Sequence, residues 1–262
     1  MSPIELVALG TSSQVPTRQR NHNGYLLRFG DVDFLFDPGE GTQRQLARAR
    51  VGVDKVRRVF LTHFHGDHSL GLAGVIQLLS AAASDPPEPV RFHFPVSGRK
   101  FWERAQEASI FEMRADLRAQ PVVEEGELFD DGRFAVTARK LSHGVPCFGY
   151  RLEVRDPGQA PFVFAFSMDT RVCPGAKALA EGADVLVSEC TYLSSEAREA
   201  RERGHMTAAH AAELAIQAGV KHLVLTHFSQ RYPANRPFLE EARAIHPKVT
   251  ALVDLKRYGL RP

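Results

Sequence analysis

The 262-residue chain predicts an α/β fold of two mixed sheets packed face to face with helices outside. Three observations carry that expectation. Short apolar strands come in runs through the first two thirds, and strands alternate with helices in the last third. Turn signals punctuate the runs at Gly30-Asp31, Asp130-Asp131-Gly132 and Asp156-Pro157-Gly158. No low-complexity linker and no short-period repeat interrupts the pattern, so one domain over residues 1–262 is expected.

Taken in order, Ile4 to Leu9 is a short apolar strand closed by Gly10. Thr11 to Asn23 is polar, carries Pro16, Arg18 and Arg20, and reads as an exposed loop. Gly24 to Phe29 and Val32 to Phe36 are a strand pair, ended by Asp37-Pro38-Gly39-Glu40-Gly41, and Thr42 to Arg50 has helical character. Arg57 to Leu61 is a buried strand, and the long Ala/Leu-rich stretch Leu70 to Ala83 a helix closed by Asp85-Pro86-Pro87. Val90 to Phe94 is the next strand, and Gly98 to Met113 a helix bearing Trp102, read as core. Strands are expected at Val122 to Phe129, Arg133 to Leu141, Phe148 to Val154 and Phe162 to Phe166. The last third alternates: helices at Gly175 to Glu181, Thr207 to Ala218 and Arg236 to Ile245, with strands at Asp184 to Ser188, Lys221 to Thr226 and Val249 to Val253.

Composition narrows the class. Apolar residues make up 44%, enough for a sizeable core. Lys+Arg at 33 against Asp+Glu at 31 leaves +2, which neither demands nor excludes a nucleic-acid partner. Cys147, Cys173 and Cys190 lack paired spacing and read as reduced thiols. The stretch Met1 to Leu6 lacks a basic segment followed by an apolar core, and no apolar run approaches a membrane span. The expected place is the cytoplasm, with no membrane partner.

Chemistry concentrates at Thr62-His63-Phe64-His65-Gly66-Asp67-His68. Imidazole and carboxylate suit a borderline-soft divalent ion such as zinc. Side chains alternate along an extended segment, so His63 and His65 share one side. Asp67 and His68 fall on the turn before the helix, where they can serve a second ion. Three more residues follow buried strands at loop starts: His143, Asp169 and His227. His205 precedes the Ala-rich helix. Rigid strand ends are where functional side chains are held, and two ions need about six or seven protein ligands. A carboxylate such as Asp169 can bridge two ions. His22, His93, His210, His222 and His246 lack such a setting and read as ordinary.

The motif at residues 62–68, with His143, Asp169 and His227 in order, resembles the metallo-β-lactamase superfamily. Within it, four stretches resemble the ribonuclease Z family, the tRNA 3′-endonucleases. They are Gly10 to Asn21 (a Pro-x-Lys-x-Arg-Asn loop with Arg18 in place of Lys), Ser188-Glu189-Cys190-Thr191 (a His-Glu-Ala-Thr motif), His205-Met206-Thr207 (a His-Ser-Thr motif) and Leu225 to Tyr232. Two departures stand out. Met168 replaces the usual Gly before the bridging Asp, and the 26 positions separating His143 from Asp169 leave no room for the family's tRNA-clamping arm.

The resemblance implies an αββα sandwich and hydrolysis by a metal-bound hydroxide at two zinc ions, with manganese as a substitute. His63, His65 and His143 would hold one ion, Asp67, His68 and His227 the other, with Asp169 bridging. Asp67 would also orient the water or take its proton. Glu189 and His205 would protonate the leaving oxygen, the alternative for His205 being a part in capping the following helix at Thr207. Arg18, Arg20, Asn21 and Arg231 would contact substrate, arginines being suited to bidentate contact with phosphate. The expected substrate is precursor tRNA, with a smaller phosphodiester as the alternative, and a homodimer is left open.

Overall fold

The computed structural model describes residues 3–260. Met1 and Ser2, which begin the stretch read above for a leader, and the last two residues of the expected 1–262 domain lie outside them. The chain forms two compact units: one runs to Val123 and resumes at Val253, and the other is Glu124–Leu252.

The first unit is built on a seven-stranded sheet. Its strands lie in the order Arg257–Gly259, Glu5–Gly10, Gly24–Arg28, Asp33–Phe36, Val56–Phe60, Val90–Pro95, Leu117–Val122. The pairings from Arg257–Gly259 to Asp33–Phe36 are antiparallel; those from there to Leu117–Val122 are parallel. Alternation divides the faces. Val7, Leu9, Leu26, Leu35 and Val59 pack with the helices Thr42–Arg48 and Leu72–Ala81 through Leu46, Val75, Ile76 and Leu79. The opposite face carries an aromatic row. Phe60 sits 5.7 Å from Phe34, 5.0 Å from Phe36 and 4.8 Å from the His93 ring, centroid to centroid. Burial, with Arg58 and Arg91 nearby, pushes His93 down to about 3, so its ring stacks as a neutral aromatic.

The second unit repeats this division. Its sheet runs Val249–Ala251, His222–Thr226, Val185–Glu189, Phe162–Ser167, Phe148–Val154, Phe134–Lys140, Gly126–Asp130, parallel as far as Phe162–Ser167 and antiparallel beyond. Helices Pro174–Ala180, Ala208–Gln217 and Arg236–Arg243 pack on Ala165, Leu186, Leu223 and Leu225. Ala208, Ala211, Ala212 and Ala215 are fully buried, and their small side chains let the middle helix lie close to the strands.

Most expected elements are present, with differences that have local causes. The expected strand Val122 to Phe129 is two strands, Leu117–Val122 and Gly126–Asp130, parted at exposed Val123 to Glu125 where the units meet in sequence. The helix expected from Leu70 to Ala83 spans Leu72–Ala81, and the turn expected ahead of it is a separate helical turn, Gly66–Ser69, that carries Asp67 and His68. The helix expected from Gly98 to Met113 spans Arg99–Gln106 only. Trp102 lies half-buried at the edge of the core, stacked on Phe94 at 5.8 Å. Helix Ala197–Arg203 was not expected, because its sequence has no apolar stripe and buries only Ala200. All three cysteines are free thiols, and no helix among the described residues is long and apolar enough to cross a membrane.

Candidate active site

In the first unit the ligand-type residues follow the strand Val56–Phe60, and one carboxylate organises them. Asp37, at the end of the neighbouring parallel strand, accepts from the Thr62 backbone N–H at 2.7 Å and the Thr62 hydroxyl at 2.8 Å. Thr62 Oγ1 has then given its proton, so at 3.0 Å it accepts from His63 Nδ1–H. Asp37 Oδ2 also accepts from His68 Nδ1–H at 2.8 Å. Both rings therefore carry no proton on Nε2, the form that binds a divalent ion, and the Asn23 side-chain amide lies 3.2 Å from that of His68. His63 Nε2 and the exposed His65 Nδ1 converge to 3.0 Å, close enough to share one ion bound about 2.0–2.1 Å from each. Asp67 Oδ2 accepts from the Gln14 backbone N–H at 2.8 Å and lies 3.3 Å from His68 Nε2. The turn needs close backbone approach: a Cβ on Gly39 would stand 2.1 Å from the Asp67 carbonyl oxygen.

In the second unit the residues come from separate strand ends. Asp169 follows Phe162–Ser167, Glu189 ends Val185–Glu189, His227 follows His222–Thr226, and His143 follows Phe134–Lys140. His143 Nδ1–H donates to the Gly204 carbonyl at 3.0 Å, and its Nε2 faces Asp169 Oδ2 at 3.6 Å. Burial holds its pKa below the usual histidine value, against the pull of Asp169, which favours the neutral ligand form. Thr191 Oγ1 donates to Glu189 Oε2 at 2.6 Å and accepts from His227 Nδ1–H at 2.8 Å. His227 therefore presents a bare Nε2 to Asp169 Oδ1 at 2.9 Å. Two lone pairs at that distance repel unless a cation stands near them, so the donor set fits a divalent ion. His227 also holds φ +61, a left-handed conformation uncommon outside glycine and costing of order 1–3 kcal/mol.

The Glu189–His205 pair forms as expected. His205 Nδ1 donates to Glu189 Oε1 at 3.0 Å and lies 4.0 Å from Asp169 Oδ2. Burial opposes the imidazolium, but the Glu189 carboxylate outweighs it and raises the His205 pKa. Burial likewise opposes the Glu189 carboxylate, yet the His205 charge outweighs that and lowers its pKa. Glu189 is fully buried and also accepts the Thr170 and Thr191 backbone N–H groups at 2.8 and 3.1 Å. Thr207 is the N-cap of the helix that follows His205, and the His205 side chain takes no part in the cap. Thr207 caps the helix with His210, each side chain accepting the other's backbone N–H at 3.1 and 3.3 Å.

The expected substrate residues divide. Arg18 is exposed and makes no ion pair among the described residues. Arg20, expected in an exposed loop, is buried, and its charge acts on Asp254. Asp254 anchors that loop, accepting from Thr11 Oγ1 at 2.7 Å and the Asn21 N–H at 2.6 Å. The Asn21 side chain donates to the Glu40 carbonyl at 2.7 Å, so it braces the backbone. Arg231 is held by Glu196 and Glu199 and lies 5.0 Å from the Tyr192 ring centre. The contribution missed in the sequence is orientation, by Asp37, Thr62 and Thr191. Asp37 had a signal, since it ends a buried strand just as Asp169 follows one.

A family model described as a beta-lactamase superfamily domain matches residues 33–228. The chain is 44% identical to the ribonuclease Z of Streptomyces avermitilis, covering 98% of each protein. It is also 44% identical to that of Nocardia farcinica, covering 100% of this chain and 99% of the relative. The chain belongs to the ribonuclease Z family. Its fold is that of the metallo-β-lactamases and its class is metal-dependent hydrolase, with the histidine–aspartate sets marking a divalent-metal site. Among solved structures, human tRNase Z, short form, superposes with TM-score 0.81 at 30% identity, covering 98% of this chain and 100% of that one. The alignment with the Streptomyces relative runs over 296 positions, 34 more than this chain's 262 residues. Family members of that kind therefore carry residues this chain lacks. Here the strands Phe148–Val154 and Phe162–Ser167 are joined by a short turn, with no arm between them.

Proposed function

We propose that the chain is an endoribonuclease that removes the 3′ trailer of precursor tRNA in the cytoplasm, as one hydrolase domain spanning residues 1–262. The observation that carries this reading is the Glu189–His205 pair, 3.0 Å apart and turned toward Asp169 in a chain of this family. The family match running from residue 33 to 228 across both units supports a single domain. His63, His65 and His143 would hold one zinc ion, Asp67, His68 and His227 a second, and Asp169 both, with manganese as a substitute. Ions there supply Lewis acidity, making water more acidic and stabilising charge on phosphoryl oxygens.

The chain's own residues do the rest. Asp37 and Thr62 fix the ring orientations of His63 and His68, and Thr191 fixes His227. Asp67 orients the attacking water and takes its proton. His205, kept cationic by Glu189, gives a proton to the departing oxygen. Arg18 contacts substrate phosphate directly, while Arg20 and Asn21 set the loop that presents it. Arg231 braces the helix Ala197–Arg203, whose end carries Gly204 and His205.

The short turn between Phe148–Val154 and Phe162–Ser167 favours a second reading, a hydrolase of small phosphodiesters. One assay separates the two: purified protein with zinc or manganese, offered precursor tRNA and bis(4-nitrophenyl) phosphate side by side. Cleavage of the RNA, slowed several-fold by Arg18→Ala with a salt slope flatter by about 0.7, supports the ribonuclease. Turnover of the small diester with intact RNA supports the second reading.

A further inference from the structure

A groove of about 650 Å³ opens beside His205 in the second unit, within the roughly 300–1,000 Å³ typical of ligand sites. It is lined by Arg171, Val172, Arg198, Arg201, His205 and His210. The helix Ala197–Arg203 sorts its charges around it. On one side Glu199 pairs with Arg203 at 2.9 Å, and Glu196 and Glu199 hold Arg231. On the groove side the cations are poorly matched. Arg201 makes no ion pair among the described residues, and Arg198 reaches Glu202 only at 3.8 Å with its side chain 93% exposed. The Arg171 guanidinium donates to the carbonyls of Arg201 and Glu202 at 2.7 and 3.3 Å, which position it without neutralising it. His210 spends Nδ1 on the helix cap, and its other ring nitrogen is not part of that cap. No carboxylate lines the groove.

A groove of this kind asks for an anion longer than one phosphate: several donors in line, and an apolar patch at exposed Val172 against which a base or ribose can lie. Its position decides which anion. His205 is the group that protonates the departing oxygen, so whatever lies beyond His205 belongs to the fragment that leaves. We propose that this groove binds the sugar-phosphate backbone of the RNA fragment whose hydroxyl end is released. This rests on the ribonuclease reading above and adds a binding site to it. In a chain without a clamping arm, Arg171, Arg198 and Arg201 supply phosphate contacts close to the scissile bond.

The test uses the metal-loaded protein as Arg198→Ala/Arg201→Ala, with Arg201→Lys as the charge-keeping control. Kinetics are measured on precursor tRNA across a salt series and on bis(4-nitrophenyl) phosphate. The double variant raises KM for the RNA roughly tenfold or more, as loss of charged hydrogen bonds does, and leaves kcat unchanged. Its salt slope flattens by about 1.4, two single-strand phosphate contacts. Turnover of the small diester stays at the wild-type value, and Arg201→Lys keeps most of the RNA affinity. Shortening the RNA on the side that ends as the hydroxyl product erases the difference between variant and wild type. An unchanged KM and slope, with wild type cleaving the RNA, overturns the groove alone. Equal loss on both substrates overturns it too, since the arginines would then be supporting His205. Failure of the wild type to cut RNA at all overturns the ribonuclease reading and the groove with it.

Discussion

The two units hold their candidate site residues in opposite ways. In the first, His63, His65, Asp67 and His68 come from one contiguous stretch after one strand, a loop and the helical turn that follows it. In the second, His143, Asp169, Glu189, His205 and His227 come from five places, held together by hydrogen bonds rather than by sequence. The units also share a device. Asp37, Asp169, Glu189 and His227 all stand at the carboxyl ends of strands in the parallel halves of their sheets, where α/β sheets place ligand sites. A local set needs one correct loop. A dispersed set needs four strand ends in place, so its geometry is a property of the whole sheet.

Three experiments press on that contrast. The largest effect is expected at Asp169, which faces both His143 and His227. Asp169→Ala should cut turnover by more than the ~10²–10⁴ of a lost general acid, and elemental analysis should find at least one ion fewer per chain. Full metal content would mean that the contiguous loop suffices and the dispersed set is secondary.

His205→Ala comes next. Turnover of precursor tRNA should fall ~10²–10⁴-fold with metal content intact. Metal loss would instead make His205 a ligand, which its place within 4.8 Å of the Asp169 and His227 ligand atoms makes the sharpest alternative.

The smallest effect separates the orienting residues of the two units. Asp37→Asn and Thr191→Val should each weaken metal affinity by ~10–100-fold, measured by chelator competition. Asp37 serves two histidines and Thr191 one, so the first loss should be larger. Thr191→Val should also lower kcat, because Thr191 donates to Glu189. The reverse order would show that the dispersed set carries more of the binding.

The same contrast explains what could be read from the sequence. Ligand-type residues within one motif announce themselves, and both sheets followed from the alternation of strands and helices. His143, Asp169 and His227 were legible only because the first cluster had raised the question. Thr191 was not, and Asp37 had only its place after a buried strand to mark it, since their work is to aim another side chain, and the residues they aim lie 31 and 36 positions away. Arg20 misled for the same reason: polar surroundings in sequence say nothing of a carboxylate at residue 254. The helix Ala197–Arg203 had no apolar stripe and no side-chain N-cap to mark its start, yet the carbonyl of its C-cap Gly204 fixes His143.

Asp254 has a further consequence, for the order in which the molecule is made. The loop that carries Arg18 is tied at Thr11 and Asn21 to a residue more than 230 positions later. The strand Glu5–Gly10 likewise gains its outer neighbour only from Arg257–Gly259. A nascent chain emerging from the ribosome therefore carries an unfinished first sheet while all of Glu124–Leu252 is being synthesised. Contacts of such long separation form slowly. The arginine loop takes its final shape only after residue 254 has been added, so synthesis itself delays the moment at which that loop is complete.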